Sequence, residues 1–309
     1  MIKAENLTKK FDDFFALDNI NCEIPKGCIY GMVGSNGAGK STFLRTLTGV
    51  YRQDSGIITI DGEEAFENPL VKAKIAYVPD ELFFLQGSNI MRMALMYKRL
   101  YPNFDDERFK LLLSNFNLPQ TKPIATFSKG MKRQAATILA LSCRPEYLLF
   151  DETFDGLDPV MRSFVKSLIC SDVVERNATA IITSHSLREL EDTCDQLVLL
   201  HKGGVVLESD VGNLKTSLFK VQIAFSDEYD ISRFDGINIR EFNKAGSVSH
   251  LIISGDRDEV ESRLVAMNPI ILDILPLTLE EVFTHQMQSL GYEFKDVLEV
   301  LSNEKQINQ

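Results

Sequence analysis

One eight-residue stretch constrains this chain more than any other. Gly34-Ser35-Asn36-Gly37-Ala38-Gly39-Lys40-Ser41 fits the pattern GxxxxGK[ST]. It follows Gly27-Cys-Ile-Tyr-Gly-Met-Val33, a short β-prone apolar run that reads as a buried strand. A helix is expected from about Lys40 to Thr48, stopped by Gly49. Between a strand and a helix, such glycines let the backbone curl until successive N–H groups point at phosphate oxygens, and the helix N-terminus adds partial positive charge. Gly34, Ser35, Asn36, Gly37, Ala38, Gly39, Lys40, Ser41 and Thr42 are therefore candidate nucleotide-binding residues. Lys40 is placed to neutralise the β and γ phosphates and Ser41 to bind Mg²⁺. The bland alternative is a glycine-rich turn that matches by chance, and the flanking strand and helix argue against it.

A second signal lies 111 residues beyond Lys40. Tyr147-Leu-Leu-Phe-Asp151-Glu152 reads as a buried strand ending in two carboxylates. Acidic groups at the carboxyl end of a parallel strand face the ligand crevice. Asp151 is a candidate metal ligand, and Glu152 a candidate general base for an attacking water. Taken alone the pair reads equally well as a helix N-cap. Other strand-like runs are Ile57–Ile60, Ile75–Val78, Ala178–Ile182 and Gln196–Leu200. From Ser88 to Cys143 the pattern is mostly helical, with Met91, Leu95 and Met96 on one expected face and Phe109, Leu112, Leu113 and Phe116 on another. Alternation of this kind implies an α/β fold with a mostly parallel sheet.

The 309 residues suffice for two domains, and 25% charged with 44% hydrophobic residues is an ordinary globular mixture. A net charge of −11 argues against wholesale binding to nucleic acid or anionic lipid. No apolar run reaches the length of a membrane span, and Met1-Ile-Lys-Ala-Glu-Asn has no signal-peptide core. The five cysteines are scattered without a CxxC pair, which argues against structural zinc and suits reduced thiols in a cytoplasmic protein. Residues 217–309 differ from 1–216. Strands are expected at Lys220–Phe225, His250–Ser254 and Ile270–Ile274, a helix at Asp258–Met267, and an N-cap at Thr278 before Leu-Glu-Glu-Val-Phe283. This reads as a small C-terminal α+β appendage with a polar end, Ser302–Gln309, expected to fray.

With the phosphate loop and the Asp151–Glu152 strand in place, residues 1–216 resemble the ATP-binding cassette (ABC) ATPases. Phe127-Ser128-Lys129-Gly130-Met131 stands where that family carries Leu-Ser-Gly-Gly-Gln, with Lys129 and Met131 departing from the pattern. Ser128 is also a good helix N-cap. Asp155-Gly-Leu-Asp158 resembles the family's dimer-contacting loop. His185, 33 residues after Glu152, matches its switch histidine; a lone histidine is otherwise usually structural. Phe11 resembles the aromatic residue that stacks on adenine, and reads almost equally as ordinary core. Asp80, after Val78-Pro79, stands where the family places a glutamine. An aspartate there can still hold Mg²⁺ but, when ionised, cannot donate a hydrogen bond.

The resemblance implies a P-loop NTPase cassette with an antiparallel β subdomain and a helical subdomain at about 80–143. It implies ATP as substrate with Mg²⁺, Ser128 and Gly130 reaching the γ-phosphate held by a second cassette, identical or related, and separate transmembrane permease subunits as partners. The expected location is cytoplasmic, peripheral on the inner face of the cell membrane and held there only through the partner. Export is the expected direction, by analogy with cassette subunits that carry similar tails. The competing readings are a soluble ABC-type ATPase in translation or DNA repair, a P-loop kinase, and a nucleotide-held regulatory module. One phosphate loop and no extended heptads weigh against the first, and the Ser128–Gly130 and Asp155–Asp158 elements against the second.

Overall fold

Strands without polar alternation must be covered on both faces, and the three runs that frame the candidate site meet this condition. In the computed structural model, which describes residues 1–212 and 218–289, β3 (Ile29–Val33), β6 (Tyr147–Asp151) and β7 (Thr179–Ser184) are buried along their whole length. They belong to a sheet of order β5-β6-β7-β3-β8-β9, with β5 at Ile75–Val78, β8 at Gln196–His201 and β9 at Gly204–Asp210. The pairings β5–β6, β6–β7, β7–β3 and β3–β8 are all parallel. The register sets Asp151 opposite Thr183, and Val33 opposite Ser184. Three neighbouring strands thus end level, and Gly34, Glu152 and His185 leave them on the same edge.

A second sheet, β2-β1-β4, is antiparallel and is formed by β1 (Ile2–Phe11), β2 (Phe14–Ile24) and β4 (Ser55–Ile60). The first two strands have no clean sequence signal. Their pairing is interrupted at three places, and Asn6 and Asn19 adopt positive φ, so the two-residue alternation is repeatedly reset. Helix α1 (Lys40–Leu47) buries Phe43, Leu44 and Leu47 in one cluster with Ile2, Leu17 and Ile58 of this sheet and Tyr30, Met32 and Leu149 of the parallel one.

After the short α2 (Pro69–Lys72), α3 (Ile90–Leu100), α4 (Asp106–Phe116) and α5 (Lys129–Ser142) build the helical region, each N-capped by a side chain, from Asn89, Asp105 and Ser128. The inward face of α4 is the expected Phe109, Leu112, Leu113 and Phe116. That of α3 is not the expected one. Ile90, Met93 and Ala94 turn inward, whereas Met91 and Leu95 are exposed. The apolar residues of α3 outnumber the positions that face α5, so periodicity alone does not select the buried set. Helices α6 (Pro159–Arg176) and α7 (Leu187–Glu191) follow β6 and β7.

One compact unit ends at Glu208 and another begins at Ser209. The second is a sheet of order β11-β12-β10-β13, antiparallel throughout, from β10 (Leu218–Ala224), β11 (Ile239–Ala245), β12 (Val248–Ser254) and β13 (Ile271–Pro276). Val260 and Leu264 of α8 (Arg257–Ala266) join Phe219, Val221 and Ile253 in its own core. Helix α9 (Leu279–Ser289) opens with a reciprocal cap: the Thr278 N–H donates to a Glu281 carboxylate oxygen at 3.0 Å, and the Glu281 N–H donates to Thr278 Oγ1 at 3.3 Å. The expected polar end, Ser302–Gln309, lies outside the described residues.

Candidate active site

The phosphate loop starts where β3 ends. Gly39 lies at φ 108° just before α1, and a Cβ there would meet the Ala16 carbonyl oxygen at 2.5 Å, so glycine is required by conformation and by space. Gly34, Ala38 and Gly39 are buried, Ser35 half-buried, and Asn36 and Gly37 exposed. Lys40 is only 5% exposed, and its ammonium folds back over the loop. It donates to the carbonyls of Gly34 at 2.6 Å and Ser35 at 3.2 Å and lies 3.1 Å from Glu152 Oε1. Ser41 and Thr42 follow on the first turn of α1, both half-buried.

Asp151 is wholly buried at the end of β6. Its Oδ1 accepts from Ser41 Oγ at 3.0 Å and Thr183 Oγ1 at 2.7 Å, and its Oδ2 accepts from Tyr77 OH at 3.0 Å. The partners are neutral hydroxyls. A buried carboxylate without a cationic partner carries a large desolvation cost, and the adjacent Ser41 hydroxyl completes a hard-oxygen donor pair. These two residues fit Mg²⁺, which takes one or two protein oxygens and fills the rest of its shell with phosphate and water.

Glu152 is the chemical centre of the arrangement. Its carboxylate bridges the Lys40 ammonium at Oε1 and the His185 imidazole at Oε2, the latter through Nδ1 at 2.9 Å. Its backbone sits at φ 49°, in the left-handed region, and its N–H donates to Thr183 Oγ1 at 3.0 Å. For a residue other than glycine such a conformation costs about 1–3 kcal/mol and persists only where surroundings impose it. Burial pushes the Glu152 carboxyl upward, but the hydrogen bond with His185 and the Lys40 charge outweigh it and hold the carboxyl below its usual range. The Glu152 hydrogen bond raises His185 above the usual imidazole value; burial opposes this, and the charges of Glu152, Asp155 and Glu189 reinforce it.

The remaining candidates fall into place unevenly. Ser128 caps α5, its Oγ accepting from the Met131 N–H at 3.2 Å, and stays exposed. Gly130 lies so close to the 155–158 loop that a Cβ would stand 2.8 Å from the Gly156 carbonyl oxygen. Asp158 caps α6 through the N–H groups of Val160 and Met161, both at 3.0 Å. Phe11 sits at the β1–β2 turn, 40% exposed and edge-on to Tyr51, not in the core. Asp80 has a side-chain partner that the sequence did not indicate. Its carboxylate accepts from the Arg133 guanidinium at 2.8 Å, and among the described residues no hydrogen bond ties it to Ser41 or Asp151. A buried guanidinium attracts the nearest carboxylate strongly, and Asp80 answers that demand. Tyr77, Thr183 and Arg133 were not singled out from the sequence. They lie in a strand or helix without a motif, and only the fold brings them to the site.

Residues 17–155 match the family model described as ABC transporter. The ABC transporter ATP-binding protein YtrB of Bacillus subtilis is 33% identical over 283 residues, which is 92% of this chain and 97% of YtrB. This chain belongs to the ABC transporter ATP-binding proteins. It is thus the ATP-binding, ATP-hydrolysing subunit of an ABC transporter, a class that works as paired cassettes with membrane permeases. The bacitracin transport ATP-binding protein BcrA of Bacillus licheniformis is 32% identical over 220 residues, 70% of this chain and 71% of BcrA. The dimeric structure of a bacterial ABC transporter cassette shares the fold, with a TM-score of 0.60 at 21% identity, over 68% of this chain and 99% of that one.

Proposed function

We propose that two cassettes close head-to-tail over two ATP molecules and that each site is completed by Ser128 and Gly130 of the opposite chain. Phe11 stacks on adenine, the Gly34–Thr42 loop wraps the phosphates and Lys40 neutralises the β and γ groups. Ser41 and Asp151 hold Mg²⁺, which when bound supplies charge neutralisation on the phosphate oxygens. Glu152 takes a proton from the water as that oxygen bonds to the γ-phosphorus, the bond to the β–γ bridging oxygen breaks, and ADP and phosphate leave.

The observation that carries this reading is the Lys40–Glu152–His185 contact at the ends of neighbouring strands. Without nucleotide, Glu152 is held by Lys40 and His185 and is a weak base. A γ-phosphate competes for Lys40 and His185. Burial of Glu152 then dominates, raising its proton affinity where a base is needed.

The reading extends to transport. An open groove of about 600 Å³ is lined by Leu85, Arg92, Leu95, Met96 and Leu100, and Phe83, two residues before Leu85 in the chain, is 78% exposed. Large exposed apolar side chains of this kind suit a docking surface, here for a separate permease subunit that holds the cassette at the inner face of the membrane. Among the described residues no helix is long and apolar enough to cross a membrane. The similarity to a bacitracin transport protein supports a peptide-like or amphiphilic compound as cargo, and export is the direction read by analogy with cassette subunits that carry similar tails.

Glu152→Gln tests the core of the proposal. Loss of a general base should lower turnover by about 10²–10⁴-fold while nucleotide binding persists and an ATP-dependent dimer accumulates on size-exclusion chromatography. A variant that stays monomeric with normal turnover overturns it.

A further inference from the structure

Arg133 is a fully buried arginine, 1% exposed, on the second turn of α5. Its Nη1 donates to the carbonyls of Pro79 and Asp80, both at 3.0 Å, and its Nη2 donates to Asp80 Oδ1 at 2.8 Å. Its Nε is buried with no hydrogen-bond partner. A guanidinium is buried at this cost only where its hydrogen bonds return most of the lost hydration. Every one of those bonds goes to a single two-residue segment, the start of the loop after β5.

The position of that segment matters. Two residues before Pro79, the Tyr77 hydroxyl donates to Asp151 Oδ2. On the other side, α5 begins at Ser128, and Gly130 lies against the Gly156 carbonyl. The 153–156 segment leads straight back to Glu152, whose carbonyl accepts from the Asp155 N–H at 3.2 Å. Contacts therefore run in a closed ring: Asp151 to Tyr77, along β5 to Asp80, across to Arg133, down α5 to Gly130, over Gly156 and back to Glu152. Arg133 with Asp80 is the polar link that joins the two arcs.

We propose that Arg133 is a positioning residue of ATP hydrolysis, which through Asp80 holds the loop after β5 and the N-terminus of α5 as one piece. It touches no reacting atom. It fixes where Ser128 and Gly130, which complete the opposite chain's site, stand relative to the Glu152 site of their own chain, so that both sites close in register; an error of about 1 Å in such placement can cost 10²-fold in rate. This rests on the ATP-site reading above, and turnover by the wild-type chain tests that reading separately.

The test uses the full chain with Asp80→Ala and Asp80→Asn, substitutions at a half-exposed side chain. Asp80→Ala is expected to lower kcat at least tenfold, with KM for ATP and the Mg²⁺ concentration for half-maximal rate unchanged. Asp80→Asn keeps an acceptor oxygen for Arg133 and should recover most of the loss. In a cycle with Arg133→Met, the double variant should be no slower than the slower single one; if Arg133→Met does not fold, the two Asp80 variants decide alone. Unchanged kcat with a lowered Tm would reduce the pair to a structural one and overturn the proposal. A rise in the Mg²⁺ requirement would make Asp80 a metal ligand and overturn it equally.

Discussion

The proposed chemistry turns on one carboxylate. Glu152 stands in a strained backbone conformation between Lys40 and His185, and each neighbour alters what the others do. The pH dependence of the pair follows with a definite sign. His185 is raised in the folded chain, so its contribution to stability is fully present below the unfolded value of about 6.5 and is lost as pH rises through the higher folded value. At the acid end, the contribution of Glu152 fades as that carboxylate is protonated. In nucleotide-free protein, an NMR titration of the imidazole should give a midpoint above about 6.5. Glu152→Gln should bring it down, since the strongest cause of the shift is removed. A midpoint that ignores this substitution would show that another group holds the histidine.

Among elements, helices α4 and α6 are tied by a buried charge cluster. Asp172 is wholly buried on α6 and pairs with Arg108 of α4 at 2.7 Å and with Arg176 one turn on, at 3.1 Å. Removing the acid leaves two guanidinium groups facing each other with little water. Asp172→Asn should therefore destabilise the chain by about 3 kcal/mol, the lower end for a broken buried pair, because both arginines keep some solvent contact. Urea denaturation with an unchanged m-value would measure this. Elements also show where pattern reading works. The α4 face and the Thr278 cap were legible because each carries one local signal. The exposed Met91 and Leu95 of α3 were not, because α3 has apolar residues on more than one face and only its neighbours decide which are covered.

For the whole molecule, the relevant division is between Glu208 and Ser209. The second unit has its own antiparallel sheet and its own core, built on Phe219, Val221, Phe234, Leu251, Ile253 and Leu264. A fragment of residues 209–309 should fold alone and unfold cooperatively, with no ability to bind ATP. Circular dichroism during thermal unfolding would check this; a sloping, non-cooperative melt would show that the appendage depends on the cassette.

What the linear order of residues determined by itself was the chemistry that local signals encode. The phosphate loop, the carboxylate-tipped strand at Asp151–Glu152, the Ser128 cap and the alternation of buried strands with helices are all written in contiguous stretches, because glycine geometry, capping and periodicity act within one element. Tertiary structure decided the rest. Parallel register alone brings Thr183 and Tyr77 onto Asp151 and His185 onto Glu152. Packing of α5 against the loop after β5 pairs Asp80 with Arg133. Those pairings join residues 32 to 74 positions apart, or 53 for Asp80 and Arg133. Where two buried charges or hydroxyls meet across such distances is settled by which surfaces exclude water, and that is a property of the assembled fold.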